Sequence, residues 1–356
     1  MSTDSSKEVD QELSNIDRYS RQILFQQVGE TGQLKLLNSK VAIVGVGALG
    51  TVIANHLVRS GVGFIRLIDR DLVELSNLQR QSLFDEEDAR LQLPKVIAAQ
   101  NRLNRINSTV TVDAVIADVN LENAEELLTG MDCIVDGTDN FMTRFLINDV
   151  AIKYGIAWVH GAAVSSRGMF TTIIPGKTPC YRCLFPHVPT GRGETCDTVG
   201  VLSPITDIIG SFQALETIKI LIGEKTTSNL EQIDIWDYST MQMDISMGKN
   251  PNCPTCVNHQ FDFLDRSSKY QVAYTTLCGR NTVQINPRHK RELDVRKLAD
   301  FLKKSGKVTG NDYLIRFSPD EDEDTSIVVF KDTRVLIHGT NDVVKAKLLY
   351  SKYIGN

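Results

Sequence analysis

A short apolar run that ends in closely spaced glycines constrains this chain more than any other feature of its sequence. Residues 41–44 predict a buried strand, and residues 51–60 predict a helix. Between them Gly45, Gly47 and Gly50 form the pattern G-x-G-x-x-G. Such glycines let the backbone turn tightly and approach a phosphate, while the helix N-terminus offers N–H groups to an anion. The succession of strand, glycine turn and helix predicts a nucleotide-binding site. The alternative is a glycine turn that only packs the helix against the strand.

A carboxylate follows at the spacing that a nucleotide site requires. Residues 64–68 predict the next strand, which ends at Asp69, 19 residues after Gly50. A carboxylate at about 20 residues from the glycine turn is placed to bind the ribose hydroxyls. Asp69 therefore favours nucleotide binding over simple packing of the turn.

Strands and helices continue to alternate along the chain. Further strands are predicted at 110–115, 132–136, 158–163 and 168–174, with helices at 122–128, 141–154 and 205–222. This alternation predicts an α/β fold, a Rossmann-like, mostly parallel sheet with flanking helices. Gly210 and its small neighbours predict close packing of the last helix, whose long apolar sequence also suits contact with a second copy of the chain.

Length and charge limit the classes of protein that the chain can belong to. Its 356 residues allow one large domain, predicted over 16–265, and a small one over 266–356. A net charge of −5 gives no reason to expect nucleic acid, and no apolar run suits a membrane span or a signal peptide. Residues 1–15 are polar and are predicted to be disordered. We expect a cytoplasmic protein without a membrane partner.

Polar side chains gather after the predicted strands, where ligands bind in such sheets. Asn77 and Arg80 lie in the loop after the second strand and suit phosphate oxygens, although a polar surface loop is the alternative. Pro94 starts the next helix, so Lys95 lies in a first turn that disfavours a cation unless an anion faces it. Asp139 follows the strand that ends at Asp136 and suits Mg²⁺, or merely caps the helix.

Two C-x-x-C pairs account for four of the seven cysteines and are separated by 69 residues. Four thiolates can bind one tetrahedral ion, which predicts a structural Zn²⁺ site; two redox dithiols or an iron–sulfur cluster are the alternatives. The odd cysteine count and the lack of an export signal favour a reducing compartment. The ligands would be Cys180, Cys183, Cys253 and Cys256.

The segment between the two pairs contains a further cysteine. Residues 184–203 are rich in Pro, Gly and Thr and predict a long mobile loop. Cys196 lies in it and is a candidate reactive thiol, with a spare thiol as the alternative. Cys133 and Cys278 are predicted to be ordinary buried cysteines.

Together these motifs resemble the bacterial E1-like adenylyltransferases, the family of ThiF, MoeB and HesA. The resemblance extends in order from about residue 16 to about residue 260, and Ala48, where relatives often have glycine, is its one departure. The matching motifs are Arg-Tyr-Ser-Arg-Gln (18–22), Gly-Val-Gly-Ala-Leu-Gly (45–50), Ser-Asn-Leu-Gln-Arg-Gln (76–81), Pro-Lys (94–95), Asp-Gly-Thr-Asp-Asn (136–140), both C-x-x-C pairs and Thr-Cys (195–196).

The resemblance implies an ATP-dependent enzyme that activates a ubiquitin-like sulfur carrier protein of the ThiS or MoaD type. The C-terminal glycine carboxylate of the carrier would attack the α-phosphate and give an acyl-adenylate and pyrophosphate. ATP would lie on the glycine turn with Asp69 on its ribose, and Asp139 would hold Mg²⁺. The phosphates would contact Asn77, Arg80 and Lys95. Arg21 would reach the partner's ATP in a homodimer.

The resemblance leaves the pathway and some roles open. The carrier would serve either thiamine thiazole or molybdopterin biosynthesis, and a cysteine desulfurase is a further expected partner. Cys196 matches a loop cysteine implicated in acyl or persulfide transfer in some members. An NAD-dependent oxidoreductase and a non-catalytic E1-like scaffold are the alternatives. The first does not account for Arg80, Lys95 and the cysteines together. The intact set of Arg21, Arg80, Lys95 and Asp139 argues against the second.

The C-terminal segment lies outside the core of the resemblance. Strands at 313–317, 326–330 and 335–340 and helices at 293–304 and 343–353 predict a small α+β domain. It is too short for a rhodanese domain, and the residues after Cys278 do not form a phosphate-style thiol loop. We therefore expect no sulfurtransferase activity from it, and a role in carrier docking or packing.

Overall fold

A computed structural model of the chain describes residues 17–188, 196–265, 274–277, 281–285, 295–322, 324–331 and 333–354. The chain divides into two compact units, Met1–Ser268 and Lys269–Asn356. The predicted disorder of residues 1–15 falls outside the described residues, and the predicted domain boundary at 265/266 stays a prediction.

The first unit alternates strands and helices over most of its length. Its strands are β1 (Lys40–Val44), β2 (Phe64–Asp69), β3 (Thr111–Ile116), β4 (Cys133–Asp136), β5 (Ala157–Val164), β6 (Arg167–Ile173), β7 (Asn229–Asp234) and β8 (Ser239–Asp244). Its helices are α1 (17–23), α2 (Gly29–Asn38), α3 (Ala48–Arg59), α4 (Glu86–Arg90), α5 (Lys95–Ile106), α6 (Ala124–Leu128), α7 (Phe141–Tyr154), α8 (Tyr181–Leu184), α9 (Cys196–Val199) and α10 (Ser203–Ile222). A short 3₁₀ helix, Leu75–Asn77, lies in the loop after β2.

All eight strands form one sheet in the order β3-β2-β1-β4-β5-β6-β7-β8. The first five are parallel, whereas β6, β7 and β8 pair antiparallel. The predicted Rossmann-like, mostly parallel sheet is confirmed. Strand β1 owes its central position to its composition, because Val41, Ala42 and Ile43 are fully buried and β-branched or small.

The strand order creates a crevice beside β1. From β1 the chain moves through β2 to β3 on one side, and it then crosses to β4 and β5 on the other. The helices that follow β1 and β4, α3 and α7, therefore lie on opposite faces of the sheet. Ligands of open α/β sheets bind at such a switch point, outside the carboxyl ends of the strands.

Helix α10 packs closely on α3. A Cβ added at Gly210 would lie 2.8 Å from Val52 Cβ, so only glycine permits this approach. The close packing predicted from the small residues of this helix is confirmed. No helix in the described part of the chain is both long enough and apolar enough to cross a membrane.

The described residues of the second unit form an antiparallel sheet and two helices, which confirms the predicted α+β class. Its sheet has the order β11-β12-β13-β14-β10-β9. Apolar side chains such as Phe317, Ile327 and Ile337 form a core with Leu302 and Tyr353 of the helices. The elements are β9 (Tyr274–Leu277), β10 (Thr282–Ile285), α11 (Val295–Leu302), β11 (Gly306–Gly310), β12 (Leu314–Pro319), β13 (Ser326–Phe330), β14 (Val335–His338) and α12 (Val343–Tyr353).

Two local predictions need correction. Pro94 is the N-cap of α5 rather than its first residue, because its ψ of 134° is extended; the helix begins at Lys95. The sequence predicts a long mobile loop over 184–203, but residues Cys196–Val199 form the short helix α9. Residues 189–195 of that segment lie outside the described part of the chain.

Candidate functional site

The three glycines of the turn after β1 meet different constraints. Gly45 has a φ of +87°, and a Cβ there would lie 2.7 Å from the Gly137 carbonyl oxygen. A Cβ at Gly50 would lie only 2.0 Å from the Gly45 carbonyl oxygen. At Gly47 the nearest atom to such a Cβ would be Nε2 of Gln81, at 3.9 Å. Two glycines thus allow the turn to fold, and the third leaves open space above it.

That open space faces the N-terminus of α3. Gly47 is the N-cap, no side chain of the described residues caps the helix, and its first turn contains no acidic residue. Unpaired N–H groups and the positive end of the helix dipole therefore remain available to an anion. The amide of Gln81 lies beside the turn; its side chain is 3% exposed, and its Oε1 has no hydrogen-bond partner among the described residues. An orphaned buried acceptor beside an open turn fits a ligand-binding crevice.

Asp69 connects the turn to the loop after β2. Its Oδ2 accepts the Val46 N–H at 2.7 Å, and its Oδ1 accepts the Asp71 N–H at 2.7 Å. Burial raises the pKa of Asp69, and nearby Lys95 opposes this shift only in part. An ionised carboxylate has about four acceptor sites, so these two bonds leave capacity for ribose hydroxyls.

Lys95 lies in the first turn of α5, where a cation is disfavoured unless an anion faces it. The anion that faces it in the structure is the carboxylate of Asp71. The Lys95 side chain is 4% exposed, and its Nζ lies 3.2 Å from Oδ2 of Asp71. The backbone N–H of Lys95 also donates to the Asp71 carbonyl, at 2.9 Å. Asp71, which sequence reasoning missed as a site residue, thus holds the lysine and is itself held by Asp69. The sequence did offer one signal for Asp71: it lies two residues after Asp69, the predicted ribose carboxylate.

The loop that contains Asn77 and Arg80 is built around the 3₁₀ helix. Asn77 is 3% exposed, and its Oδ1 accepts the Glu74 N–H at 3.1 Å in a capping box. Arg80 is half-buried as a residue, and its guanidinium donates to the Ser76 carbonyl at 3.0 Å. One Asn77 oxygen thus maintains the loop, and an Arg80 guanidinium has five N–H donors, of which this contact uses one.

The loop after β4 contains two aspartates with different environments. Asp136 is fully buried and accepts hydrogen bonds from Arg144 Nε at 3.0 Å and from Thr138 at 2.9 Å (backbone N–H) and 2.7 Å (hydroxyl). Burial alone would raise the pKa of Asp136, but Arg144 and His160 outweigh it and hold that pKa below its usual value. Asp139 is exposed. Of the two, Asp139 therefore has the solvent-accessible carboxylate that a metal ion requires.

Sequence reasoning missed the group that holds this loop in place. Nδ1 of His160 lies 2.7 Å from Oδ2 of Asp136, and Nη2 of Arg144 donates to the Thr138 carbonyl at 2.6 Å. Gln213 of α10 donates to the Asp136 carbonyl at 2.7 Å. An arginine directly before the apolar residues 145–147 of α7 was the available signal for this group; the histidine and the glutamine come from other elements.

The two loops at the switch point are in backbone contact. A Cβ at Gly137 would lie 2.4 Å from the Gly45 carbonyl oxygen and 3.1 Å from the backbone of Gly50. The structure therefore brings the glycine turn, the Asp69–Lys95 group and the Asp139 loop together around one crevice. This arrangement could bind a nucleotide with its phosphates on the α3 N-terminus and a metal ion near Asp139.

Arg21 differs from the other predicted site residues. Its helix is anchored by Tyr19, whose hydroxyl accepts a hydrogen bond from Asn107 at 2.8 Å, and by Gln22, whose Nε2 donates to the Ser60 carbonyl at 3.0 Å. The side chain of Arg21 itself is exposed. Its predicted reach into a partner's site stays a prediction.

The four cysteines of the C-x-x-C pairs form one cluster. Sulfur–sulfur distances are 3.8 Å for Cys180–Cys183, 3.6 Å for Cys180–Cys253 and 3.5 Å for Cys183–Cys256, and all four sulfurs lie within 4.8 Å of one another. Around a tetrahedral ion with Zn–S bonds of about 2.3 Å, the sulfurs would be about 3.8 Å apart. The donor set and its spacing therefore fit zinc.

The remaining cysteines are only partly described. Cys133 is fully buried in β4, and burial raises its pKa to about 12, as expected for an inert core thiol. Cys196 begins α9, but its side chain and the whole of Cys278 lie outside the described residues. The predictions for those two thiols therefore stay untested.

Comparison with known proteins agrees with this geometry. Residues 19–255 match the ThiF family. The chain is 44% identical over 339 residues to a protein named sulfur carrier protein ThiS adenylyltransferase of Bacillus subtilis, which covers 95% of this chain and 99% of that protein. It is 40% identical over 271 residues to the SAMP-activating enzyme E1 of Haloferax volcanii, with 75% and 97% covered.

Solved structures agree as well. A crystal structure of E. coli MccB with MccA-N7isoASN matches with a TM-score of 0.60 and 25% identity, over 67% of this chain and 74% of that one. The resemblance inferred from the motifs is confirmed, because the family match covers more than half of the chain and the relatives match over most of their length. The chain belongs to the ThiF family.

Proposed function

We propose that this protein is an ATP-dependent adenylyltransferase that activates the C-terminal glycine of a ubiquitin-like sulfur carrier protein. The observation that carries the proposal is the 44% identity to a ThiS adenylyltransferase across 99% of that relative. That relative also favours a ThiS-type carrier, and hence thiamine thiazole synthesis, over a MoaD type. The crevice between the glycine turn and the Asp139 loop supports it, because it provides the anion-binding features that ATP requires.

We assign the nucleotide contacts from the positions of the side chains. ATP would lie on the turn Gly45–Gly50 with its phosphates toward the α3 N-terminus, and Asp69 would accept the ribose hydroxyls. The phosphates would contact Asn77, Arg80 and Lys95. Asp139 would hold Mg²⁺, which when bound neutralises phosphate charge.

In the proposed reaction a carboxylate oxygen of the carrier's terminal glycine forms a bond to the α-phosphorus. The bond between this phosphorus and the bridging oxygen to the β-phosphate breaks, and pyrophosphate leaves with that electron pair. The nucleophile is already ionised at neutral pH, so no general base is required. Because two anions must meet, Arg80 and Lys95 act by positioning and by neutralising charge.

The other predicted partners are also proposals. Zn²⁺ bound by the four cysteines would be structural, because a closed set of four thiolates leaves no open position for a substrate. Arg21 would contribute to the ATP site of the second subunit in a homodimer. Cys196 is proposed to bear the acyl or persulfide intermediate, with a cysteine desulfurase as the source of sulfur.

The test is carrier-dependent exchange of labelled pyrophosphate into ATP. We expect exchange with Mg²⁺, ATP and a ThiS-type carrier that ends in Gly-Gly, and none with a carrier that lacks the last glycine. Binding of NAD without exchange would favour the oxidoreductase alternative. Absence of exchange in a protein that binds ATP would favour the scaffold alternative.

A further inference from the structure

Helix α7 connects the two halves of the chemistry described above. Its N-terminal end follows the Asp139 loop, and its middle contacts residues from both C-x-x-C pairs. The helix runs without interruption from Phe141 to Tyr154 and ends at Gly155 in the left-handed conformation. A continuous helix transmits a displacement along its axis, because its backbone hydrogen bonds resist bending.

The first turn of α7 fixes the backbone on both sides of Asp139. On the far side, Oδ1 of Asn140 accepts the Met142 N–H at 2.8 Å and caps the helix. On the near side, Nη2 of Arg144 donates to the Thr138 carbonyl at 2.6 Å. The exposed carboxylate of Asp139 is therefore placed by the residues before and after it, and both are bound to α7.

The middle of α7 is bound to each cysteine pair by a buried hydrogen bond. Tyr181, between the first two cysteines, donates its backbone N–H to Oδ1 of Asn148 at 2.8 Å. Thr255, between the second two, donates its hydroxyl to Oδ1 of Asp149 at 3.0 Å, and Phe263 N–H donates to Oδ2 at 3.0 Å. Asn148 and Asp149 are both 0% exposed.

Aromatic contacts provide a second connection between the same regions. The Phe145 ring of α7 packs edge-on against Tyr181, with centroids 5.2 Å apart, and is stacked on Phe263 at 4.8 Å. Tyr181 also packs against His160 at 5.0 Å, and His160 contacts Asp136 of the nucleotide loop. The cysteine cluster and the loop therefore share packed neighbours as well as one helix.

We propose that the four-cysteine cluster positions the Asp139 loop through α7, with Asn148, Asp149 and Thr255 as positioning residues. The cluster would thus contribute to Mg²⁺ and ATP binding without contacting either. This inference rests on the proposed function only in naming Mg²⁺ and ATP as the ligands of the Asp139 loop. The mechanical connection is a property of the fold and can be tested without a nucleotide.

Three substitutions separate this connection from metal binding and from general stability. Thr255→Val removes the hydroxyl bond to Asp149 and keeps all four cysteines. Thr255→Ser keeps that hydroxyl. Thr171→Val is the matched control, because it removes a buried hydroxyl bond of 2.9 Å, to the Asn229 carbonyl in β7, that does not involve α7. Zinc content and hydrogen exchange of residues 137–147 are measured on the nucleotide-free full chain.

We expect Thr255→Val to keep its zinc and to raise hydrogen exchange at 137–147 by about fivefold, the effect of losing one buried hydrogen bond. Thr255→Ser and Thr171→Val should leave that exchange as in the wild type. Equal exchange in Thr255→Val and Thr171→Val would overturn the proposal. If the loop opens as expected but the wild type does not bind ATP with Mg²⁺, the proposed function fails and the connection stands.

Discussion

The Arg144–Asp136 ion pair offers a prediction whose size and pH dependence follow from the structure. Arg144→Met would remove the guanidinium and keep most of the apolar side-chain volume. The carboxylate of Asp136 would then stay fully buried, with Thr138 and the neutral His160 as its remaining side-chain partners. The Thr138 carbonyl would also lose its bond to Nη2.

Removing one partner of a buried ion pair typically costs about 3 to 5 kcal/mol, because it leaves an uncompensated charge. We take about 3 kcal/mol as the expected loss in free energy of unfolding at pH 8, since Thr138 still donates two hydrogen bonds to the carboxylate. Arg144→Lys keeps the charge without the fork that reaches both Asp136 and Thr138. Its loss should be about half as large.

The loss should depend on pH with a definite sign. In the wild type Arg144 helps to hold the pKa of Asp136 below its usual value, so the folded pair stays charged. Without Arg144, burial would raise that pKa, and the Asp136–His160 pair would take up a proton on folding. A folded state that binds the extra proton gains stability relative to the unfolded state as pH falls. The variant should therefore be less destabilised, relative to wild type, at pH 5.5 than at pH 8.

Urea unfolding followed by tryptophan fluorescence suits this measurement. The chain has two tryptophans, and both Trp158 and Trp236 lie in the first unit. Trp158 is fully buried, 5.9 Å from the His160 ring, so its emission reports on the region of interest. The reasoning is refuted if Arg144→Met loses less than about 1 kcal/mol at pH 8, or if its loss is the same at both pH values.

Three further predictions concern the proposed sites. Gly50→Ala should lower the free energy of unfolding by about 3 kcal/mol, because its Cβ would lie 2.0 Å from the Gly45 carbonyl oxygen. Gly47→Ala should keep the free energy of unfolding within about 0.5 kcal/mol of wild type, yet bind ATP about tenfold more weakly by calorimetry. A larger loss of stability in Gly47→Ala than in Gly50→Ala would contradict the assignment of the two glycines. Arg80→Ala should lower pyrophosphate exchange by at least about 100-fold with an unchanged circular dichroism spectrum, and unaltered exchange would mean that Arg80 does not contact the phosphates. Cys253→Ser should lower bound zinc from about one per chain to a trace by atomic emission, whereas a folded wild type without zinc would show that the cluster holds no metal.

The parts of the fold that sequence reasoning predicted correctly have strong local signals. Strand β1 is a continuous apolar run that ends in glycine. The helix predicted at 141–154 has the observed bounds of α7; in the structure Asn140, rather than Asp139, caps it, and Gly155 ends it. Strands β7 and β8 were missed. Their sequences, Asn-Leu-Glu-Gln-Ile-Asp and Ser-Thr-Met-Gln-Met-Asp, are partly and fully exposed, respectively. Strand β7 forms by pairing with β6, and β8 forms by pairing with β7, so neither is marked by an apolar face in its own sequence.

In the candidate site, too, the residues with strong local signals could be predicted, and those that depend on tertiary contacts could not. The glycine turn, Asp69 and Lys95 could be located because each stands at a fixed offset from a predictable strand or helix. The contact of Asp136 with His160 could not, because it joins residues 24 apart in the chain and depends on the parallel pairing of β4 with β5. The link from Asp149 to Thr255 spans 106 residues, and no local pattern encodes it.

The central claim is that a carrier carboxylate attacks the α-phosphorus of ATP in the crevice between the glycine turn and the Asp139 loop. Mass spectrometry of a ThiS-type carrier, incubated with the protein and Mg·ATP, tests it most directly. We predict a carrier whose mass has increased by one AMP group at its terminal glycine, with pyrophosphate released. An unmodified carrier together with release of ADP and phosphate would contradict the claim, because it would place the attack at the γ-phosphorus.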